Sequence, residues 1–381
     1  MWKIFARPHI DWVLLGALIP LFLAGLITMR GLGTDPSTAL GVNYFFNRQL
    51  IWIAIGFAAF FLASSIDWRI LRSGPLLLIL YIAVIIVLVS LLILVNAIRG
   101  VQAWISLGLF SIEPAELMKL VLILVLAKYF SRRHIEIAHA KHIIISGLYA
   151  AVPLLLVFMQ PDLGSAVILG TIWLGMILVS GVSKKHLLLV LAVGAIAFSF
   201  AWLGVLEPYQ KSRVLTFLNP SADPRGAGYN ALQSVIAVGS GGFWGRGVGY
   251  GIQSRLEFLP EHETDFIFAA FAEEWGLLGA IVLFAFYLII FWRILKAAFT
   301  GESNFERLFG LGIFFMILAH FVVHVGMNLG VLPITGISLS FLSYGGSHTI
   351  VLMLALGMLM GMSRYGLRSG KAWREGDLTL I

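Results

Sequence analysis

Ten stretches of this chain are each long enough and apolar enough to cross a lipid bilayer, and that limits the fold before any motif is read. They lie near residues 12–29, 50–66, 75–95, 115–130, 143–159, 164–182, 187–205, 266–292, 308–330 and 347–363. A hydrocarbon core about 30 Å thick takes about 20 apolar residues of helix to span. No water solvates the backbone there, so only helices or closed barrels are viable. The runs are long and continuous, which selects helices. Composition agrees: 60% of residues are hydrophobic and 12% are charged, against about 25% charged in soluble proteins. The expected fold is an all-α integral membrane protein of about ten transmembrane helices, a single polytopic membrane domain over residues 1–381.

The fourth run is marginal because Glu116 and Lys119 sit in it. Losing it would invert everything that follows, so the loop charges must arbitrate. With the N-terminus inside, the inner segments collect Lys3, Arg7, Arg69, Arg72, Lys128, Arg132, Arg133, Lys141, Lys184 and Lys185. They also collect Arg293, Lys296, Arg307, Arg364, Arg368, Lys371 and Arg374. That bias supports ten spans with both termini cytoplasmic. It also accounts for the net charge of +7 without nucleic acid as a partner. The outer loops are then 30–49, 96–114, the turn at Pro161, 331–346 and the long loop 206–265, whose length and aromatic residues suggest a functional segment. Cysteine is absent, which excludes disulfides and thiolate chemistry. The N-terminus has no evident cleavage site. No internal repeat suggests an inverted-duplication transporter.

Against this apolar background, "FLPEHETDFIFAAFAEEWG" (258–276) is anomalous. Glu261, Glu263, Asp265, Glu273 and Glu274 sit at the mouth of the eighth span or inside it. An ionised carboxylate in hydrocarbon requires a polar cavity, a cation or a raised pKa. Asp265 stands where the long loop enters the span, and two roles fit it: an N-cap of the helix or a catalytic base. Glu273 and Glu274 read as interhelical polar contacts.

Other motifs have modest readings. "VGSGGFWGRGVGYG" (238–251) lacks the Gly-Lys-Ser/Thr ending of a phosphate loop and reads as a tight-turning, partly buried loop. "EPAELMKL" (113–120) spaces Glu116 and Lys119 to pair on one helix face; they form either a structural ion pair or part of the cavity around the acids. "QPDLG" (160–164) reads as a turn. His320 and His324 share a face without a sequence-adjacent carboxylate, so a catalytic zinc site is not expected.

Taken together, "AWISLG" (103–108), "EPAELMKL", "QPDLG", "YQKSRVLTFLNPSADPRGAGYN" (209–230), "QSVIAVGSGGFWGRG" (233–247), "FLPEHETDFIFAAFAEEWGLLG" (258–279) and "SYGGSHTIVLM" (343–353) resemble, in order, the shape, elongation, division and sporulation (SEDS) family. The resemblance runs through nearly the whole chain. It implies ten spans with a large outer loop after the seventh. The implied activity is a peptidoglycan glycosyltransferase that polymerises lipid II on the outer face of the bacterial cytoplasmic membrane during cell elongation. The implied partners are a class B penicillin-binding protein, a transpeptidase, and other membrane proteins of the elongation complex. Asp265 corresponds to the family's essential aspartate, Trp104 to its tryptophan before the fourth span, and Glu116 and Lys119 to its "ELxKL" pair. The chain departs from the family at Ala103, at Glu113 and Ala115, and at Glu263, where Arg, "QPSE" and His are usual.

The chemistry suits these residues. A diphosphate is already a good leaving group, so the reaction needs one base for the attacking sugar hydroxyl and cations for the departing charge. A single displacement inverts the anomeric centre, with one carboxylate rather than a hydrolase's pair. Asp265 is the expected base. Trp104, Glu116, Lys119, Arg213 and Gln253 are the expected substrate contacts, with Lys119 and Arg213 favoured for the diphosphate over Arg99, Lys211, Arg246 and Arg255. The sequence demands no metal or other cofactor, though a divalent cation, magnesium or manganese, is compatible with it. Three alternatives remain: a lipid II flippase, a division-type polymerase of the same family, and a non-catalytic scaffold for a transpeptidase.

Overall fold

The structure is a computed structural model that describes residues 10–32, 44–72, 75–94, 104–106, 111–132, 140–204, 206–220, 226–256 and 258–368. The ten apolar runs are ten helices: α1 (Trp12–Leu32), α2 (Tyr44–Ser65), α3 (Leu76–Leu94), α4 (Pro114–Ser131), α5 (Ala140–Met159), α6 (Leu163–Val179), α7 (Lys184–Gly204), α11 (Ile267–Phe299), α12 (Asn304–Asn328) and α13 (Gly346–Arg368). Local chemistry sets their ends. Pro114 opens α4 at a position where its missing N–H costs nothing. Asp162 caps α6, its Oδ1 accepting from Ser165 N at 2.9 Å, so "QPDLG" is a turn that ends in a helix cap. Ser303 and Glu306 form a capping box at the start of α12.

The marginal fourth run proves to be the central helix. In α4, Glu116, Lys119 and nearly every apolar residue from Leu120 to Phe130 are buried, against α3, α5, α6, α12 and α13. Its low hydropathy reflects protein rather than lipid as its surroundings. Helix α7 is the opposite case. It is apolar on all sides, and none of its described residues is buried. A lipid tail is as apolar as a neighbouring leucine, so a helix of this kind gains little from packing.

The long outer segment contains three short helices, α8 (Pro208–Leu218), α9 (Ala227–Ser240) and α10 (Ile252–Arg255). A small antiparallel hairpin, β1 (Ile105–Ser106) with β2 (Ser111–Ile112), precedes α4. The sequence reading anticipated neither, because the pieces are too short for periodicity to register.

Helix α11 is 33 residues long, which at about 1.5 Å per residue would be near 50 Å, well beyond the bilayer core. It is broken at Gly276, whose φ of 67° and ψ of −167° are not helical. The freed backbone groups pair with the glycine-rich loop: Arg246 N to Glu273 O at 2.9 Å, Gly247 N to Glu274 O at 3.0 Å and Leu277 N to Gly242 O at 2.9 Å. The loop turns tightly, with positive φ at Gly242, Gly245, Gly247 and Gly249. It is more exposed than expected, presenting Phe243, Trp244 and Tyr250 at its surface, as interfacial aromatics commonly do.

The same geometry separates Glu273 and Glu274. Glu273 makes the interhelical contacts expected of it, to α10 and to Ser240 of α9 at 3.4 Å, whereas Glu274 takes loop backbone. Glu273 accepts from Gln253 N at 2.9 Å, Ser254 N at 3.2 Å and Ser254 Oγ at 2.8 Å. Glu274 accepts from Gly249 N at 2.8 Å through Oε1, while its Oε2 is buried without a hydrogen-bond partner. A Cβ at Gly276 would lie 2.3 Å from Gly245 N and 2.7 Å from Phe243 O. Gly276→Ala is therefore expected to exceed the roughly 1–2 kcal/mol left-handed penalty and to release the loop, seen as faster limited proteolysis at 241–251. An unchanged cleavage rate would contradict this.

Candidate functional site

Asp265 lies just before α11, and it does not cap that helix. The N-cap position is Phe266, which makes no side-chain cap bond. The chain turns at Glu261 (φ 49°), whose carbonyl accepts from Thr264, Asp265 and Phe266 at 3.0–3.2 Å. The missing cap is supplied from α12. Asn328, fully buried, accepts from Ala269 N through Oδ1 at 3.1 Å and donates Nδ2 to Asp265 O at 3.0 Å. Ser234 Oγ of α9 donates to Asn328 O at 2.9 Å. The Asp265 carboxylate is thereby left for other work.

Three segments converge on it. The 331–346 loop passes beside it at Gly336, whose notional Cβ would be 3.5 Å from Asp265 Oδ2. Arg213 of α8 reaches the same loop, Nη1 donating to Thr335 O at 3.4 Å, and its charge acts on Asp265. Gly164, two residues after Asp162, packs on Thr335 and Ile337. The loop is stitched to the acidic stretch through Tyr344 N to Glu263 O at 2.9 Å and Ser343 Oγ to Thr264 O at 2.8 Å. Gln49 of α2 secures it further, accepting from Gly345 N at 3.1 Å and donating to Ser343 O at 3.3 Å. This is the structural content of the "SYGGSH" motif.

Burial, reinforced by Glu261 and Asp162, pushes Asp265 up to about 6; Arg213 and the Thr264 hydroxyl oppose the shift. Glu113, at the head of α4, is pushed up to about 8 by burial and then by Glu116 and Asp162, so it is largely neutral near pH 7. His262 faces acceptors on both ring nitrogens, Leu259 O at 2.9 Å and Glu263 Oε1 at 3.1 Å. The departure at Glu263 is thus answered by the histidine one place earlier.

Below this site lies a second set of charges. Lys119 Nζ donates to Glu116 Oε1 at 2.8 Å and lies 3.4 Å from His320 Nε2. His348 Nδ1 lies 3.0 Å from Glu116 Oε2, and the two imidazoles are 4.5 Å apart. The fold supplies the carboxylate that the sequence did not place beside His320. Glu116, His320 and His348 are close enough to share an ion. The Lys119 ammonium already satisfies the Glu116 carboxylate, however, and a divalent cation there would meet a fixed positive charge. The donor set fits a salt-bridged lock of α4, α12 and α13 better than a metal centre. Asp265, Glu261 and Asp162 offer hard oxygen donors of the kind magnesium or manganese takes.

The expected contacts therefore separate. Asp265 and Arg213 come together. Glu116 and Lys119 pair with each other and are enclosed in the bundle. Gln253 is tied through its backbone to Glu273, and its side-chain oxygen is buried without a partner. Trp104 is half-buried at the start of the hairpin, with no hydrogen bond or ring contact to the acids among the described residues. Arg99 lies outside the described residues. Lys211, Arg246 and Arg255 lie in the outer segment, Arg246 donating to Ser240 O at 3.0 Å. Asn328, Gln49, Ser343 and His348 escaped the sequence reading. The signal that could have found Asn328 is a polar amide within an apolar span.

The fold and site define a multi-pass helical membrane protein with a carboxylate centre at one membrane face. The family described as "Cell cycle protein", which groups FtsW, RodA and SpoVE, matches residues 11–367, and the chain belongs to that family. It is 34% identical over 358 residues to the peptidoglycan glycosyltransferase MrdB of Escherichia coli (strain K12), covering 93% of this chain and 94% of that protein. It is 36% identical over 326 residues to the stage V sporulation protein E of Bacillus subtilis (strain 168), covering 84% and 87%. Among solved structures, the rod shape determining protein RodA of Thermus thermophilus matches with a TM-score of 0.69 and 27% identity, over 95% of this chain and 98% of that one. A chain of a peptidoglycan synthase complex, described for its coordination of polymerization and crosslinking, matches at 0.78 and 29%, over 96% and 99%.

Asn328→Ala would orphan Asp265 O and Ala269 N–H, a loss of about 1–3 kcal/mol for buried groups left unpaired. Hydrogen–deuterium exchange at residues 265–270 is expected to accelerate selectively, with α13 unaffected. Unchanged protection at 265–270 would remove Asn328 from its assigned role.

Proposed function

We propose that this protein is a peptidoglycan glycosyltransferase, a lipid II polymerase of cell elongation, multi-pass in the bacterial cytoplasmic membrane and working with a class B penicillin-binding protein. The observation that carries the reading is Asp265: a half-buried carboxylate at the membrane lip, freed from capping by Asn328, beside a cation from the outer segment. Family membership sets the reaction class. The elongation role is preferred to the division role on the "FLPE…TDFIFA" stretch.

In this mechanism Asp265 removes the proton from the attacking sugar hydroxyl as its oxygen bonds to the anomeric carbon of the lipid-linked donor. The bond to the diphosphate breaks, and undecaprenyl diphosphate departs with the electron pair. Inversion at the anomeric carbon follows from the single displacement. A pKa near 6 leaves Asp265 ionised at neutral pH yet more basic than an exposed aspartate. Arg213 stabilises the departing negative charge. A divalent cation bound by the neighbouring carboxylates would add to that neutralisation. Trp104 and Gln253 are retained as contacts to the lipid-linked sugar. Glu116 and Lys119 act from within the bundle, fixing α4 against α12 and α13, which is a positioning role.

Asp265→Asn is the test. A raised pKa means that folding favours the protonated carboxyl; this contribution is complete below about pH 4 and is lost as pH rises through about 6. The neutral amide is therefore expected to leave thermal stability at pH 7.5 equal to or above that of the parent. Glycan-strand formation from lipid II by the purified protein and its partner is expected to fall by about 100-fold or more, the scale of general-base catalysis. Parent-level polymerisation by a folded Asp265→Asn protein would end the base assignment.

A further inference from the structure

A cavity lies at the opposite membrane face from Asp265. It measures about 460 Å³ and is lined by Arg72, Lys128, Ser131, Arg132, Ser303, Asn304 and Phe305. These residues come from three places in the chain: the turn after α2, the last turn of α4 and the first turn of α12. The positive-inside bias puts all three on the cytoplasmic side.

Three cations face this one space. Lys128 and Arg132 are a helical turn apart on the same side of α4, and the two repel. Arg132 is fixed by donating Nη2 to Arg72 O at 2.9 Å, which brings a second guanidinium to the rim. The described carboxylate that meets Arg72 is Glu306, at a loose 3.9 Å. Part of this charge complements the C-terminus of α4 and part orients the chain. Neither role requires the three side chains to converge on one cavity. The first turn of α12, whose N–H groups the Ser303–Glu306 box partly satisfies, also lines the cavity. The volume falls in the range of small-ligand sites, about 300–1,000 Å³, which is larger than one water or a chloride needs.

We propose that this cavity is a binding site for a phosphate-bearing anion, namely the phosphodiester headgroup of an anionic phospholipid of the inner leaflet. Basic pockets between transmembrane helices on the cytoplasmic side are suited to such headgroups. The cavity joins the foot of α4 to the head of α12. Those helices carry Glu116 and Lys119, and His320 and Asn328, toward the other face. A bound headgroup therefore ties together, from below, the two helices that position the site above. This inference rests on the cavity alone and stands or falls independently of the role of Asp265.

The experiment uses the full chain in nanodiscs of phosphatidylcholine, titrated with phosphatidylglycerol and read by native mass spectrometry and thermal unfolding. Phosphatidylglycerol is expected to bind and to raise the unfolding temperature, while added phosphatidylcholine does neither. The double variant Arg72→Ala, Arg132→Ala is expected to bind phosphatidylglycerol about tenfold or more weakly, roughly 1.4 kcal/mol. The double variant Arg72→Lys, Arg132→Lys should keep most of the binding. If the double alanine protein does not fold, Lys128→Met carries the comparison. Inorganic phosphate at millimolar concentration distinguishes the sources. Displacement of the lipid by it identifies a phosphate site open to the soluble ion; failure to displace identifies a site that needs the lipid as a whole. Equal binding of the two lipids, or unaltered phosphatidylglycerol binding by the alanine or methionine variant, would overturn the proposal.

Discussion

The fold depends on how a charge is kept inside a membrane protein, and the buried Glu116–Lys119 pair shows it most plainly. Lys119 is 1% exposed and Glu116 6%, so neither can be solvated by water. Each is answered by the other, and then by His320 and His348 from two more helices. A pair of this kind adds little net stability over an apolar packing, but removing one partner is costly. Its effect is to register α4 against α12 and α13. The outer ends of α12 and α13 frame the loop that passes Asp265, so the position of that carboxylate follows from a lock made within the bundle.

The acids of the "FLPEHETDFIFAAFAEEWG" stretch divide by the same rule. Glu274 accepts from the glycine-rich loop at Gly249 N, and Glu273 accepts from Gln253 and Ser254 of α10, so the two hold this segment against the break in α11. Glu263 is paired with His262. Asp265 keeps an unsaturated carboxylate, opposed by Arg213 and crowded by Glu261, and its affinity for a proton rises accordingly. The cost of charge away from water is met at Glu273 by several donors and is left largely unmet at Asp265, where it raises the affinity for a proton.

The ten spans were legible in the sequence because hydrophobic length is a strong, local signal, and their helices fall close to the expected bounds. α2 starts at Tyr44 rather than near 50 and α11 ends at Phe299 rather than near 292, because helices continue beyond the apolar core into residues that hydropathy does not mark. The surroundings of Asp265 were legible only in part. Its position at a helix mouth suggested a cap, and the cap comes instead from Asn328, 63 residues later in sequence. The partners of Glu273 and Glu274 were likewise hidden, since a carboxylate's choice between a neighbouring span and a loop backbone is decided by tertiary geometry. The convergence of His320 and His348 on Glu116 was hidden for the same reason: three helices far apart in sequence meet at one point.

The central claim is that Asp265 is a base whose proton affinity is raised by its surroundings, and the pH dependence of lipid II polymerisation tests it most directly. Turnover requires the ionised carboxylate, so kcat is expected to be low at pH 5, to rise through an apparent value near 6 and to level off above about pH 7. A rate that is flat from pH 5 to 8, in protein shown to stay folded across that range, would contradict the account.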